Sequence, residues 1–257
     1  MASTVQNTDV KQKDADGAVV VAVTSRAAFG ADDGDEVYGV GVAFTLLQVK
    51  ALQRVNERLL EENPAESLLF DVVLITTDSH QQQQSARIIS STRHYGLDVS
   101  RFCFSSEEDF IESLLKNNVQ LFLSPDGNEV SQASQRGVLS ALLNQLTASS
   151  PSEQLRVLLC GDAVILPDTS PAPASRQAAQ RFSAQLGAMR RRFSVFDSPL
   201  SIVLMTSHGG RESCGRALQE LRSRGVSVDE AYCLAGAPRG PILSLLQPHL
   251  LLIDVEE

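Results

Sequence analysis

Short, largely aliphatic runs recur along this chain. Most end in small polar residues, and most are followed by a segment of helical periodicity. The runs are Ala18–Val23, Phe70–Ile75, Val99–Phe104 and Val119–Leu123, then Val157–Leu159, Ile202–Met205, Ala231–Leu234 and Leu250–Ile253. Apolar runs without strict alternation are strands buried on both faces, and such strands belong to parallel sheets covered by helices. Between the first two runs, Leu47, Val49, Leu52, Val55 and Leu59 recur at helical spacing, and Glu61-Glu62-Asn63-Pro64 ends that helix. Further helices are expected over 81–94, 107–116, 130–146 and 175–193, and up to Arg224, with Gly96 and Gly225 as stops. Alternating strands and helices of this kind predict an α/β fold with right-handed crossovers.

The recurrence is also a repeat. Thr76 and Thr206, Cys103 and Cys233, and Ser124 and Asp254 each lie 130 residues apart, without a gap. The first strands match at 136, Thr24 against Cys160. The difference falls in the loop and helix after the first strand, where length change costs little. The expectation is two duplicated, doubly wound, Rossmann-like parallel-sheet units, packed together or sharing a sheet. A polar leader over 1–17 reads as disordered, the first unit as 18–146, a linker as 147–155 and the second unit as 156–257.

Charge and composition exclude several functions. A formal net charge of −9 disfavours nucleic-acid binding by simple electrostatics. No apolar run reaches the ~18 residues of a membrane span. Met1–Gly17 has no apolar core of a secretory signal. The four cysteines, Cys103, Cys160, Cys214 and Cys233, are scattered, which suggests thiols in a reducing compartment and a cytoplasmic location. Without Trp, and with 5% aromatic residues, no stacking platform for single strands is expected. Arg190-Arg191-Arg192 reads as a solvated face, with a basic partner-binding patch as the alternative.

The chemistry concentrates on Arg156–Val164, a strand running into Cys160-Gly161-Asp162. Sites in open parallel sheets form at the carboxyl ends of strands. Asp-Gly-Asp at such an end would mark a magnesium-dependent phosphohydrolase, but Cys160 stands at the first Asp. A cysteine phosphatase is not expected, because Leu166 stands where its anion-binding Arg would be. Cys160 is therefore expected to be a small buried residue, Cys103 and Cys233 core residues, and His208 a solvated turn residue.

Over nearly the whole chain the sequence resembles the cytosolic 5′-nucleotidase I family, and its second half resembles a haloacid-dehalogenase-type hydrolase. The resembling stretches are Val21–Ala27, Val49–Leu52 with Val55-Asn56, Phe70–Leu74, Gly161–Val164, and Leu234–Pro241 with Pro248-His249. The resemblance implies a magnesium-dependent phosphohydrolase acting on nucleoside monophosphates such as AMP. It puts the nucleophile position on Cys160, the general acid/base on Asp162, and phosphate binding on Thr206, Ser207 and Arg239. The metal-holding carboxylate pair falls on Ile253 and Asp254, so each carboxylate pair of the family has lost one member here. Magnesium is implied by the family but is expected to bind weakly. The substrate segments after Phe29 and from Pro167 to Gln185 read as shortened. The expected function is that of a catalytically degenerate nucleotidase acting by binding a nucleotide, phosphate, a protein partner or a second copy. A weak or rebuilt nucleotidase for AMP- or IMP-class substrates and a purely structural module are the alternatives.

Overall fold

Two separate sheets organise the chain. The computed structural model describes residues 3–10, 17–30, 37–40, 43–77, 83, 85–106, 108–143, 154–161, 174–194, 196–207 and 210–252. The first sheet draws on β1 (Ser3–Gln6), β2 (Val19–Thr24), β3 (Phe70–Thr76), β4 (Val99–Phe104), β5 (Leu121–Ser124) and β6 (Leu139–Leu142), in the order β1-β4-β3-β2-β5-β6. All of its pairings are parallel except that of β1 with β4. Its helices are α1 (Ser25–Ala28), α2 (Ala43–Glu62), α3 (Ser85–His94), α4 (Phe110–Lys116) and α5 (Gly127–Gln135). The second sheet holds β7 (Leu155–Cys160), β8 (Leu200–Thr206), β9 (Glu230–Cys233) and β10 (Leu250–Leu252), with α6 (Ala174–Arg190), α7 (Gly210–Ser223) and α8 (Gly240–Leu246). Its order is β10-β7-β8-β9, all parallel.

The two sheets share a winding. Numbering only the parallel strands of each half in chain order, both read 3-2-1-4, and the first sheet adds a fifth strand beside the fourth. In each sheet the chain leaves the first strand toward one side and later returns on the other. This produces a switch point between β2 and β5, and another between β7 and β10.

Strand alternation decides which core each residue joins. Val19, Val21 and Val23 face a large core shared with Leu52, Val55 and Leu59 of α2, Phe182, Leu186 and Met189 of α6, and Val157, Leu159, Ile202 and Leu204 of the second sheet. α2 and α6 each contact both sheets, so the halves are welded through a common helical layer. Val20 and Ala22 face the opposite way, onto Phe110, Leu114, Phe122 and Val138. In the second sheet, Leu158, Cys160, Val203 and Met205 form a third cluster with Leu246. Along the seam, Gln48 Nε2 donates to the His249 carbonyl, and Arg58 pairs with Asp197 at 2.7 Å. His249 is buried and its Nδ1 accepts the Arg156 backbone N–H at 3.1 Å. Burial first, and then the nearby Arg156 and Arg54, push its pKa down to about 4.

Four expectations from sequence are corrected. Part of the expected disordered leader, Ser3–Gln6, is an edge strand on β4, anchored where Asn7 Nδ2 donates to the Val99 carbonyl at 2.8 Å. Its side chains are exposed, so backbone pairing with the edge, which apolar composition does not report, holds it. The expected helix over 130–146 ends at Gln135. Gly137 turns at φ 81° and the chain becomes β6, because the apolar run Val138–Leu143 mimics helical phase. Cys233 is exposed rather than core, since β9 is an edge strand, whereas Cys103 is buried as expected. Arg190 is not solvated: it is buried and grips the Asp229 carboxylate through Nε and NH2 at 3.1 and 2.6 Å, and Arg192 pairs with Glu66 at 3.2 Å. No helix among the described residues is long and apolar enough to cross a membrane.

Candidate functional site

The carboxyl ends of β7 and β8 bring together Cys160, Gly161, Thr206 and Ser207. Register pairs Cys160 with Met205, so Thr206 stands one residue beyond the strand end that carries the thiol. Gly161 lies against it. A Cβ added at Gly161 would meet Thr206 Cγ2 at 2.6 Å, so the close passage of the two chains there requires glycine.

Arg239 reaches this corner from the loop after β9. That loop folds back on the end of β8: the Leu234 N–H donates to the Thr206 carbonyl at 2.9 Å and the Gly236 N–H to the Ser207 carbonyl at 2.7 Å. Ala235 and Gly236 adopt φ of 50° and 91°, the left-handed turn that makes the strap possible. The Arg239 guanidinium then donates from Nε to Ser207 Oγ at 2.8 Å. Three of the residues expected to bind phosphate, Thr206, Ser207 and Arg239, are thus gathered by one loop and one strand end.

Two polar groups define what this corner can do. Thr206 is fully buried, and among the described residues its Oγ1 has no hydrogen-bond partner. A buried hydroxyl in that state carries an uncompensated desolvation cost and is suited to an acceptor brought by a ligand. Cys160 is buried in the cluster of Leu158, Val203, Met205 and Leu246. A thiol is not the carboxylate that an aspartyl-phosphate mechanism uses as its nucleophile. It is also a poor partner for magnesium, which takes hard oxygen ligands. The described residues at this corner therefore do not fit the cation. Asp162, His208, Ile253 and Asp254 lie outside the described residues.

The first sheet has a crevice at the equivalent place. There Glu129, buried on α5, accepts from Ser124 Oγ at 2.5 Å and Thr77 Oγ1 at 3.2 Å, and pairs with Arg26. Arg26 also reaches Asp126 at 3.4 Å, while Asp126 caps α5 by accepting the Asn128 N–H at 2.8 Å. Sequence reasoning named the strand-end residues but missed Glu129. Its signal, a carboxylate five residues past a strand-end Ser, is not distinctive among helix-start acids.

Comparison with known proteins bears on both crevices. The model of the 5′-nucleotidase family matches residues 29–185 and 170–257. Human cytosolic 5′-nucleotidase 1B is 31% identical over 283 residues, covering 92% of this chain and 46% of the relative. The chain therefore spans under half the length of that relative. An alignment of 283 residues exceeds the 257 of the chain itself, so the relative also carries residues with no counterpart here.

Proposed function

Since the chain belongs to the 5′-nucleotidase family, we propose that it binds the phosphate of a nucleoside monophosphate at the carboxyl ends of β7 and β8 without hydrolysing it. The observation that carries this reading is the fully buried Thr206 hydroxyl, unpartnered among the described residues, beside the Ser207–Arg239 pair and next to a buried thiol at the nucleophile position. A phosphate oxygen would accept from Thr206 Oγ1, and the Arg239 guanidinium supplies charge and a planar donor fork. Hydrolysis in this family's manner needs a carboxylate that attacks in line and a cation that cancels charge. Cys160 supplies neither. The reading carries with it a cytoplasmic location and an internal duplication of units 18–146 and 156–257. The shared 3-2-1-4 strand order supports the duplication.

The rival reading is a weak, magnesium-dependent nucleotidase, favoured by the retention of Asp162 and Asp254 in the sequence. Two measurements separate them. Calorimetric titration with AMP should give saturable heat that Arg239→Ala abolishes, and equal heats for both proteins remove the proposed site. Phosphate release from AMP with millimolar magnesium should stay at background. A magnesium-dependent rate that disappears in Asp162→Asn establishes the rival. As a gain-of-function check, Cys160→Asp combined with Ile253→Asp should create magnesium-dependent thermal stabilisation that wild type lacks.

A further inference from the structure

We propose that a second cavity, at the amino ends of β2, β3 and β4, is a binding site for an aliphatic polyamine. The cavity measures about 270 Å³ and lies between the last turns of α2 and the strand starts, on the opposite end of the strands from the carboxyl-end crevices. It is independent of the nucleotide reading.

Charge is the first observation. Four carboxylates line the cavity, Asp9, Glu57, Asp71 and Asp98, and among the described residues no Lys, Arg or His does. Two are compensated from outside: Asp9 pairs with Arg93 at 2.5 Å and Asp71 with Arg101 at 2.5 Å. Glu57 and Asp98 are exposed and make no ion pair with any described residue. The carboxyl end of α3 adds to the negative field, since the Gly96 carbonyl just past it faces Gln53, accepting from Gln53 Nε2 at 3.3 Å.

The second observation is Gln53 itself. It lines the cavity, is 8% exposed, and among the described residues its Oε1 has no hydrogen-bond partner. An orphaned acceptor among carboxylates asks for a donor, and only a cation meets both demands. A phosphate or carboxylate ligand is repelled. A hard metal ion lacks a set of ligands, because no three His, Cys, Asp or Glu among the described residues are grouped to hold one. An ammonium group suits the mixture. It has up to three donors, and its methylene chain can lie on Leu60 and Leu69 of the same wall. Two uncompensated carboxylates match a ligand carrying at least two ammonium groups, and the volume admits a short linear amine.

The test is calorimetric titration of the whole chain with spermidine at low ionic strength, where exposed charges are least screened. Wild type should bind saturably at one site. Glu57→Gln combined with Asp98→Asn, both at exposed positions that leave the fold intact, should weaken binding by about tenfold or more. Magnesium chloride at matched ionic strength should give no saturable signal. Equal affinity in the double variant overturns the site. So does a magnesium signal equal to that of spermidine, which would mean diffuse counterion binding to an acidic chain. A lysine-rich peptide that binds where spermidine does not would also overturn it, in favour of a protein partner.

Discussion

The two carboxyl-end crevices start from matched residues, and their described strand-end hydroxyls find different partners. In the first sheet, the buried Glu129 carboxylate collects Arg26, Thr77 and Ser124 into one network. In the second, among the described residues, neither Thr206 nor Ser207 hydrogen-bonds a carboxylate, and Thr206 Oγ1 has no partner. Each crevice keeps one orphaned threonine hydroxyl, Thr24 in the first and Thr206 in the second. The carboxylate makes the difference. In the first crevice an internal anion occupies the place where an arginine and the start of a helix would hold a ligand's anion, so that end of the molecule is closed by its own side chain. The second crevice has the donors, with no described carboxylate on its strand-end hydroxyls. A shared winding therefore sets where a site can lie, and in the first sheet one helical side chain fills it from within.

The sharpest way to break this comparison is Glu129→Ala. It removes the carboxylate that Ser124 and Thr77 donate to and that Arg26 pairs with, and should cost about 2–4 kcal/mol in urea unfolding, the lower end reflecting the partial exposure of Arg26 and its second pairing with Asp126. Arg239→Ala in the other crevice should cost less than about 1 kcal/mol. Near-equal losses would mean the first network holds nothing together. His249 tests the second half, where its ring accepts the Arg156 N–H. Its folded pKa of about 4 lies below the ordinary 6.5, so the unfolded chain binds the extra proton. Stability should fall as pH drops from about 6.5 to about 4, by at most ~3 kcal/mol, and level off below. His249→Gln should flatten that slope, and a slope unchanged by the substitution assigns the acid sensitivity elsewhere.

Glycines separate the crevices on a smaller scale. Gly161→Ala drives a methyl into Thr206 and should lower stability by about 1–3 kcal/mol. Gly127→Ala, at the start of α5 with nothing within 4 Å of the added carbon, should be neutral or stabilise by about 0.5 kcal/mol. Thermal melts that rank these two the other way would contradict the close passage at Gly161. The smallest effect is the most telling for function. Thr206→Val removes an orphaned hydroxyl and should leave the ligand-free protein unchanged or up to ~1 kcal/mol more stable, while weakening AMP binding. Thr77→Val removes a hydroxyl that donates to Glu129 and should cost about 1 kcal/mol.

Much of the architecture was legible beforehand because it rests on local pattern. Continuous aliphatic runs such as Val19–Val23 and Ile202–Met205 can only be satisfied in doubly covered parallel strands. The strand ends that carry Cys160, Thr206 and Ser207 followed from the same pattern, and Arg239 from a Gly- and Pro-rich block whose turns the structure explains. Edge pairing was not legible: Ser3–Gln6 and β6 depend on which backbone edge is left open, which no side-chain pattern encodes. Nor was the state of charged groups, since Arg190 looked solvated until Asp229 met it from 39 residues away.

By itself, then, the sequence determined the strands, their parallel covering and the residue types at their ends, because hydrophobic periodicity is a local property that each segment carries alone. Tertiary structure decided which hydroxyls are satisfied, which carboxylate closes the first crevice, and which acceptor at Gln53 is left without a donor. Those outcomes depend on distances of a few ångströms between residues far apart in the chain. A hydrogen bond or ion pair changes from stabilising to costly over that range, and only packing sets it.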